Sequence, residues 1–230
     1  MTTLDKLEHF SRREAATLMF EPVFDFSRSA VCIHALDCYR AGEPSEDDVA
    51  EDREYLRAAM RAAASLPAAS LNVTVKAATV INDPGLADFV VGVMREEGIE
   101  PPCIVIEIDD DGLIPLDERF DKRVKSLRTD GIRVAFRIRH VSALLSFGLP
   151  PDFLKLGRDL VSSIDRDATR RGTLRSIVNV MRSAGRQVVA EGVETWLEVA
   201  ALRDAGINLI QGSLLCRPRE RQQTIGGTAA

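Results

Sequence analysis

The chain has no C-x-x-C pair, no G-x-G-x-x-G or G-x-x-x-x-G-K-[ST] loop, and no apolar run near the roughly 20 residues that cross a bilayer. Each gap excludes something. Without the glycine loops there is no dinucleotide or P-loop phosphate signature. Without paired cysteines, Cys32, Cys38, Cys103 and Cys216 read as free thiols in a reducing compartment. The opening M-T-T-L-D-K-L-E-H-F is charged and amphipathic rather than a secretory signal, so the expected location is the cytoplasm, with no membrane contact. A basic excess is missing too. Thirty Lys and Arg face 35 Asp and Glu, a net charge of −5, so composition forces no face suited to nucleic acid. The local cluster Arg166, Arg170 and Arg171 reads as a solvated helix start or loop, with an anion site as the competing reading, and the acidic run from Glu43 to Glu54 as a solvated helix face, with a docking surface as the competing one.

What is present is a 230-residue chain, 45% hydrophobic, with no low-complexity stretch, which can bury a full core. Strand-like and helix-like segments alternate along it. Leu18 to Phe24 and Val31 to Leu36 read as two strands joined too tightly for a helical crossover, hence antiparallel. Ser45 opens a long helix towards Ala64. Leu71 to Lys76, Cys103 to Ile108, Ile132 to Ile138, Phe153 to Leu156, Gln187 to Ala190 and a segment from Leu209 read as further strands. Between them, Leu86, Phe89, Val90, Val93 and Met94 follow helical spacing after an Asp83-Pro84 start. Phe120, Val124 and Leu127 do the same, as do Leu174, Ile177, Val178 and Met181, and the segment from Trp196 to Ala205. Gly98, Gly131, Gly185 and Gly206 sit where these helices should stop. Near-continuous apolar strands alternating with helices imply a parallel sheet, and at this length a closed (β/α) barrel. Residues 1–218 are expected to form one domain, with 219–230 an unstructured tail.

Three segments are specific enough to point to a family. V-V-A-E-G-V-E-T (188–195), L-I-Q-G-S-L-L-C-R-P (209–218) and F-L-K-L-G-R-D-L-V (153–161) together resemble the EAL domain, the cyclic-di-GMP phosphodiesterases. The resemblance runs from about Leu18 to Pro218. It implies a modified TIM (β/α)8-type barrel, and metal-assisted phosphodiester hydrolysis by carboxylates at the C-terminal ends of the strands.

Carried across residue by residue, the resemblance keeps Asn72, Glu107, Lys155, Glu191, Glu194 and Gln211. It breaks elsewhere. The signature Glu-Ala-Leu falls on His34-Ala35-Leu36, and the arginine two places on is Cys38. The family's Asp-Asp-Phe-Gly falls on Arg137-Ile138-Arg139-His140, and its Lys-Ile-Asp on Lys155-Leu156-Gly157. Carboxylates are thus replaced at His34, Arg137, Ile138 and Gly157. The stretch between His34 and Asn72 is shorter by about a helix and a loop, and two or three residues are missing after His140.

Strand alternation points Arg137 into the barrel. A guanidinium there repels a divalent cation by several kcal/mol at about 4 Å and an effective dielectric of about 20. Glu107 and Glu191 are then expected to pair with Arg137 or Lys155, because buried charges need partners. His34 reads as a hydrogen-bonded barrel histidine, with an alternative metal ligand as the competing reading, and Trp196 as helix packing rather than a stacking platform. The expectation is a catalytically inactive, regulatory EAL-like domain with no metal or other cofactor. Its expected partner is another protein, and its binding of cyclic-di-GMP weak or absent. A receptor that binds cyclic-di-GMP without hydrolysis is the alternative, and a residual phosphodiesterase the third reading.

Overall fold

The computed structural model describes residues 17–27, 32–41, 48–64, 70–109, 117–146, 148–216 and 219–221. Two long strands open the chain, β1 (Thr17–Asp25) and β2 (Cys32–Ala41), paired antiparallel from Thr17↔Ala41 to Asp25↔Cys32 with a bulge at Val23/Phe24. Helix α1 (Asp48–Ala63) leads to β3 (Leu71–Lys76). Then follow α2 (Ala77–Asn82), α3 (Leu86–Glu97), β4 (Ile104–Asp109), α4 (Glu118–Thr129) and β5 (Arg133–Ile138). The second half holds β6 (Phe153–Leu156), α5 (Arg158–Val161), α6 (Ala168–Ser183), β7 (Gln187–Ala190), α7 (Trp196–Asp204), β8 (Leu209–Ile210) and β9 (Arg219–Arg221).

Strands β2 to β8 pair in order, all parallel. Strand β1 then pairs antiparallel with β8 through Phe24↔Ile210 and Asp25↔Leu209, and also with β2. The hydrogen-bonded circuit of eight strands closes, and only β1 runs against the rest. This is the modified barrel expected from the tight first connection.

Period-two alternation divides the strand residues into two layers. One set faces outward under the helices. Val73, Val75, Ile104, Ile106, Ile108, Val134 and Phe136 pack with helices α1 to α4, and Ile138, Leu154, Leu156, Val188, Ala190 and Ile210 with α5 to α7. The other set faces inward. Val23, Val105, Ala135, Phe153, Val189 and Leu209 form a separate apolar plug inside the barrel. The next inward residues towards the C-terminal ends are polar, and they build the site.

Several local expectations change. Helix α3 starts at Leu86 rather than at Pro84; Asp83 instead accepts from the Gly85 N–H (3.0 Å) and binds Arg53 through two 2.7 Å bonds. A short helix, α2, precedes it. Its start is capped from outside by Asp52, which accepts from the Lys76 N–H (3.1 Å) and the Thr79 hydroxyl (2.6 Å) at 1% exposure. Asp52 therefore does not belong to a solvated acidic face; the earlier acids of that run, 43–47, lie outside the described residues. Phe89 is half-buried rather than core, because the guanidinium groups of Arg53 and Arg57 stack on its ring at 4.9 and 5.4 Å.

Of the Arg166 cluster, only Arg166 is solvated. Arg170 binds the Ser162 carbonyl and Arg171 those of Ile164 and Asp165, closing the turn before α6. Trp196 is 62% exposed, so it is not helix packing; its own helix buries Val199 and Leu202 instead. Residues 219–221, expected in an unstructured tail, pair with Leu18 to Phe20; 222–230 lie outside the described residues. Among the described residues, Cys103 and Cys216 form no disulfide.

One backbone contact holds the top of the barrel together. Gly212 (φ 156) lies against Val193, so that a Cβ would collide with the Val193 backbone nitrogen and oxygen. In the same place Val193 donates to the Gln211 carbonyl (3.0 Å) and Leu214 donates to Val193 (3.2 Å). Gly212→Ala combines that overlap with a backbone conformation unsuited to a side chain, and is expected to cost more than about 3 kcal/mol. Thermal unfolding of the variant checks this; a loss within about 0.5 kcal/mol, typical of surface sites, contradicts it.

Candidate functional site at the barrel mouth

The polar layer begins above the apolar plug. From β4 come Glu107 and, two residues on and on the same face, Asp109. From β5 comes Arg137, from β6 Lys155, and from the turn after β7 Glu191. Registry aligns Asp109, Arg137 and Lys155 on three adjacent strands. Glu21 on β1, Asn72 on β3 and Gln211 after β8 complete the ring, all buried.

Most of these side chains are engaged with one another. Lys155 Nζ lies 2.8 Å from Glu107 Oε2, both 2% exposed at the side chain. The Gln211 amide donates to Glu21 Oε2 at 2.7 Å. Arg137 forks onto Glu191, Nε to Oε2 at 2.8 Å and Nη2 to Oε1 at 2.6 Å, while its Nη1 lies 3.4 Å from Asp109 Oδ2. Arg139 reaches the same Asp109 oxygen at 3.1 Å. Burial by itself lowers the basicity of Arg137. The charges of Glu191, Asp109 and Glu107 and the bond to Glu191 more than offset this, so its guanidinium is held above its ordinary range. It stays charged at every pH at which the protein is folded.

A second arginine holds the turn that carries Glu191. Arg158, the residue after Gly157, lays its stem against Gly192, where a Cβ would come within 2.9 Å of it. It donates to the Gly192 carbonyl (2.6 Å) and Glu194 (2.6 Å), and lies 3.3 Å from Glu198. Glu194 is thus a partner of Arg158, with its side chain 55% exposed. Glu198 closes the turn from below, accepting from the N–H groups of Ser163, Glu194 and Thr195 and completing a capping box with Thr195.

The substituted positions fall in three places. Arg137 faces the mouth. Gly157 is buried at the start of α5, and a Cβ on it would lie 3.2 Å from the Ile138 carbonyl and 3.6 Å from Arg139 Cγ. Ile138 packs outward with Leu154 and Leu156, so this position contributes no side chain to the mouth. His34 and Cys38 lie on β2, whose side chains are outside the described residues.

Four residues of this arrangement escaped sequence reasoning. Asp109 was legible as the same-face neighbour of Glu107, and Glu21 as an acid in an otherwise apolar strand. Arg158 and Glu198 carried no signal, because each binds a backbone group more than 30 residues away.

A divalent cation needs several oxygen ligands free to turn towards it. Here Glu107, Asp109 and Glu191 already answer to Lys155, Arg139 and Arg137. Among the described residues no group of three or more His, Cys, Asp or Glu side chains is placed to hold a metal ion. The side chains described do not fit the metal centre that the family implies.

Two measurements probe these contacts. Lys155→Met leaves Glu107 without its cation and is expected to cost about 3–5 kcal/mol, whereas Lys155→Met/Glu107→Leu recovers most of that loss; chemical denaturation of both variants checks it. Burial by itself raises the Glu198 carboxyl, but the N–H groups of Glu194, Ser163 and Thr195, with Arg158, hold it below its ordinary value. A lowered pKa stabilises the fold above the unfolded value and loses that stabilisation as pH falls through the folded one. The Tm gap between native and Glu198→Gln protein should therefore be full at neutral pH and close on acidification. A gap that widens in acid contradicts this.

The EAL domain family matches residues 51–218, a span that begins after His34 and Cys38. The chain is 25% identical over 215 residues to the blue light- and temperature-regulated antirepressor BluF of Escherichia coli, covering 87% of this chain and 53% of that protein. It is 31% identical over 153 residues to the uncharacterized protein Rv1357c of Mycobacterium tuberculosis, covering 64% and 49%. The chain thus spans about half the length of these curated relatives. Among solved structures, Klebsiella pneumoniae BlrP1 with calcium and cyclic-di-GMP superposes with a TM-score of 0.79 at 24% identity, over 90% of this chain and 56% of that one. A standalone EAL protein of Vibrio cholerae O395, bound to cyclic-di-GMP, gives 0.78 at 19% identity over 90% and 93%. With a closed barrel whose first strand runs antiparallel, and a family match over most of its length, the chain belongs to the EAL domain family.

Proposed function

We propose that this EAL domain does not hydrolyse cyclic-di-GMP and acts as a cytoplasmic regulatory module through contact with another protein. The observation that carries the reading is Arg137, forked onto Glu191 and shared with Asp109 where the family places its metal chemistry. At an effective dielectric of about 20 each charge-pair repulsion at about 4 Å is worth about 4 kcal/mol, and doubles for a divalent ion. A cation entering beside Arg137 meets that cost and must also displace existing ion pairs. The relative named as an antirepressor supports a role exercised on another protein.

The alternative reading is a receptor that binds cyclic-di-GMP without hydrolysis. In its favour, several structural neighbours are cyclic-di-GMP complexes, one of them without metal ions. Against it stands the charge balance of the mouth. At the C-terminal ends of the strands, leaving aside Arg133 at the opposite end, four described acids (Glu21, Glu107, Asp109, Glu191) meet four bases (Lys76, Arg137, Arg139, Lys155). A dianionic ligand gains no net attraction there, and Cys38 replaces the arginine expected to grip a phosphate.

Purified protein with Mg²⁺ or Mn²⁺ is expected to leave cyclic-di-GMP intact. Metal-dependent turnover lost in Glu191→Ala would overturn the reading. Calorimetry is expected to give no binding as tight as micromolar, about −8 kcal/mol; tighter binding moves the assignment to the receptor.

A further inference from the structure

We propose that Arg137 and Arg139 together are a built-in substitute for a divalent cation, so that deleting both guanidinium groups turns Asp109 and Glu191 into a cation site the native chain does not offer. This rests on the reading of the mouth given above and extends it to the ion chemistry of the chain. The two guanidinium groups carry two positive charges, the charge of one divalent ion. They meet two carboxylates, Glu191 through a fork and Asp109 through one oxygen that both arginines approach, at 3.4 and 3.1 Å. Both carboxylates touch the same guanidinium, so they stand within its width of each other, on β4 and just after β7.

A second observation concerns oxygen supply. Asp109 Oδ1 is buried, and among the described residues no hydrogen-bond donor reaches it. A neutralised carboxylate with an idle oxygen is poorly used by two arginines that each send it one donor, both to Oδ2. It suits a hard cation, which takes both oxygens. Unlike a metal, this tethered charge cannot exchange with solvent, so the mouth is held without dependence on ion supply.

The test is thermal unfolding of the full chain in EDTA, in millimolar CaCl₂ or MnCl₂, and in KCl of equal ionic strength, with calorimetric titration of Ca²⁺. The native chain is expected to show the same Tm in all of them. Arg137→Ala/Arg139→Ala is expected to melt lower, then regain about 4 °C in Ca²⁺ or Mn²⁺ at ten times their Kd, and nothing in K⁺. Arg137→Lys/Arg139→Lys keeps the charge and is expected to be blind to the ions. If the double alanine variant does not fold, Arg137→Met gives the same comparison with Arg139 in place, with a smaller regain. A native chain stabilised by divalent ions, or charge-deleted variants that respond to Ca²⁺ no more than to K⁺, overturns the inference. Hydrolysis by the native chain instead removes the functional reading on which it stands. An inert native chain with ion-blind variants removes this inference alone.

Discussion

At the mouth of the barrel one guanidinium lies between two carboxylates on different strands, and much of the site depends on it. Arg137 links β5 to Glu191 after β7 by two charge-assisted bonds and leans on Asp109 at the end of β4. Taking a charge this far out of water is costly, and only a fork onto carboxylate with further anions close by offsets the cost. The surrounding arrangement serves that requirement. Lys155 neutralises Glu107, the next acid inward, and Arg139 completes the neutralisation of Asp109. Arg158 holds the turn that aims Glu191, and Glu198 holds that turn from beneath.

The two layers of the barrel divide the work. The outward residues of β3 to β8 are almost all Val, Ile, Leu, Ala or Phe, and they supply the burial that drives folding under the helices. Inside, six apolar residues fill the lower half, so the charged residues above rest on an apolar floor. Low local polarity strengthens every ion pair at the mouth and makes an unpaired charge expensive there. Such a mouth, with acids and bases balanced among its described residues, is a stable end of a scaffold. On the reading proposed above, it would offer little to a small anion, and partners would be met on the outer surface. Trp196 and Leu197, exposed at the start of α7, belong to that surface.

Much of this was legible in the sequence, because the strongest determinants are local or periodic. Apolar strands alternating with helical spacing implied the parallel barrel. The short D-F-S-R-S link after Phe24 implied the reversed first strand. The spacing of V-A-E-G-V-E-T and Q-G-S-L-L-C-R-P implied the family. Strand parity placed Arg137 inward and Ile138 outward, although both had been counted as losses from one site; parity applied consistently would have separated them. Helix starts were less legible, as at Asp83, because a carboxylate can cap from outside the helix, and Asp52 does so from another one.

The sequence by itself determined which charges are available and on which face of each strand they stand, since alternation and residue type are properties of the chain alone. It determined the inversion of charge at position 137 in the same way. Only the tertiary structure decided which charges meet. Arg137 could have paired with Glu107 or Glu191. Closure of the barrel brings Glu191 into forked contact and leaves Glu107 to Lys155. The partner of Arg158 and the crowding at Gly157 likewise arise only when strands and turns from distant parts of the chain are set at fixed separations. Those separations are a property of the closed sheet, whose strand spacing and register no local sequence pattern encodes.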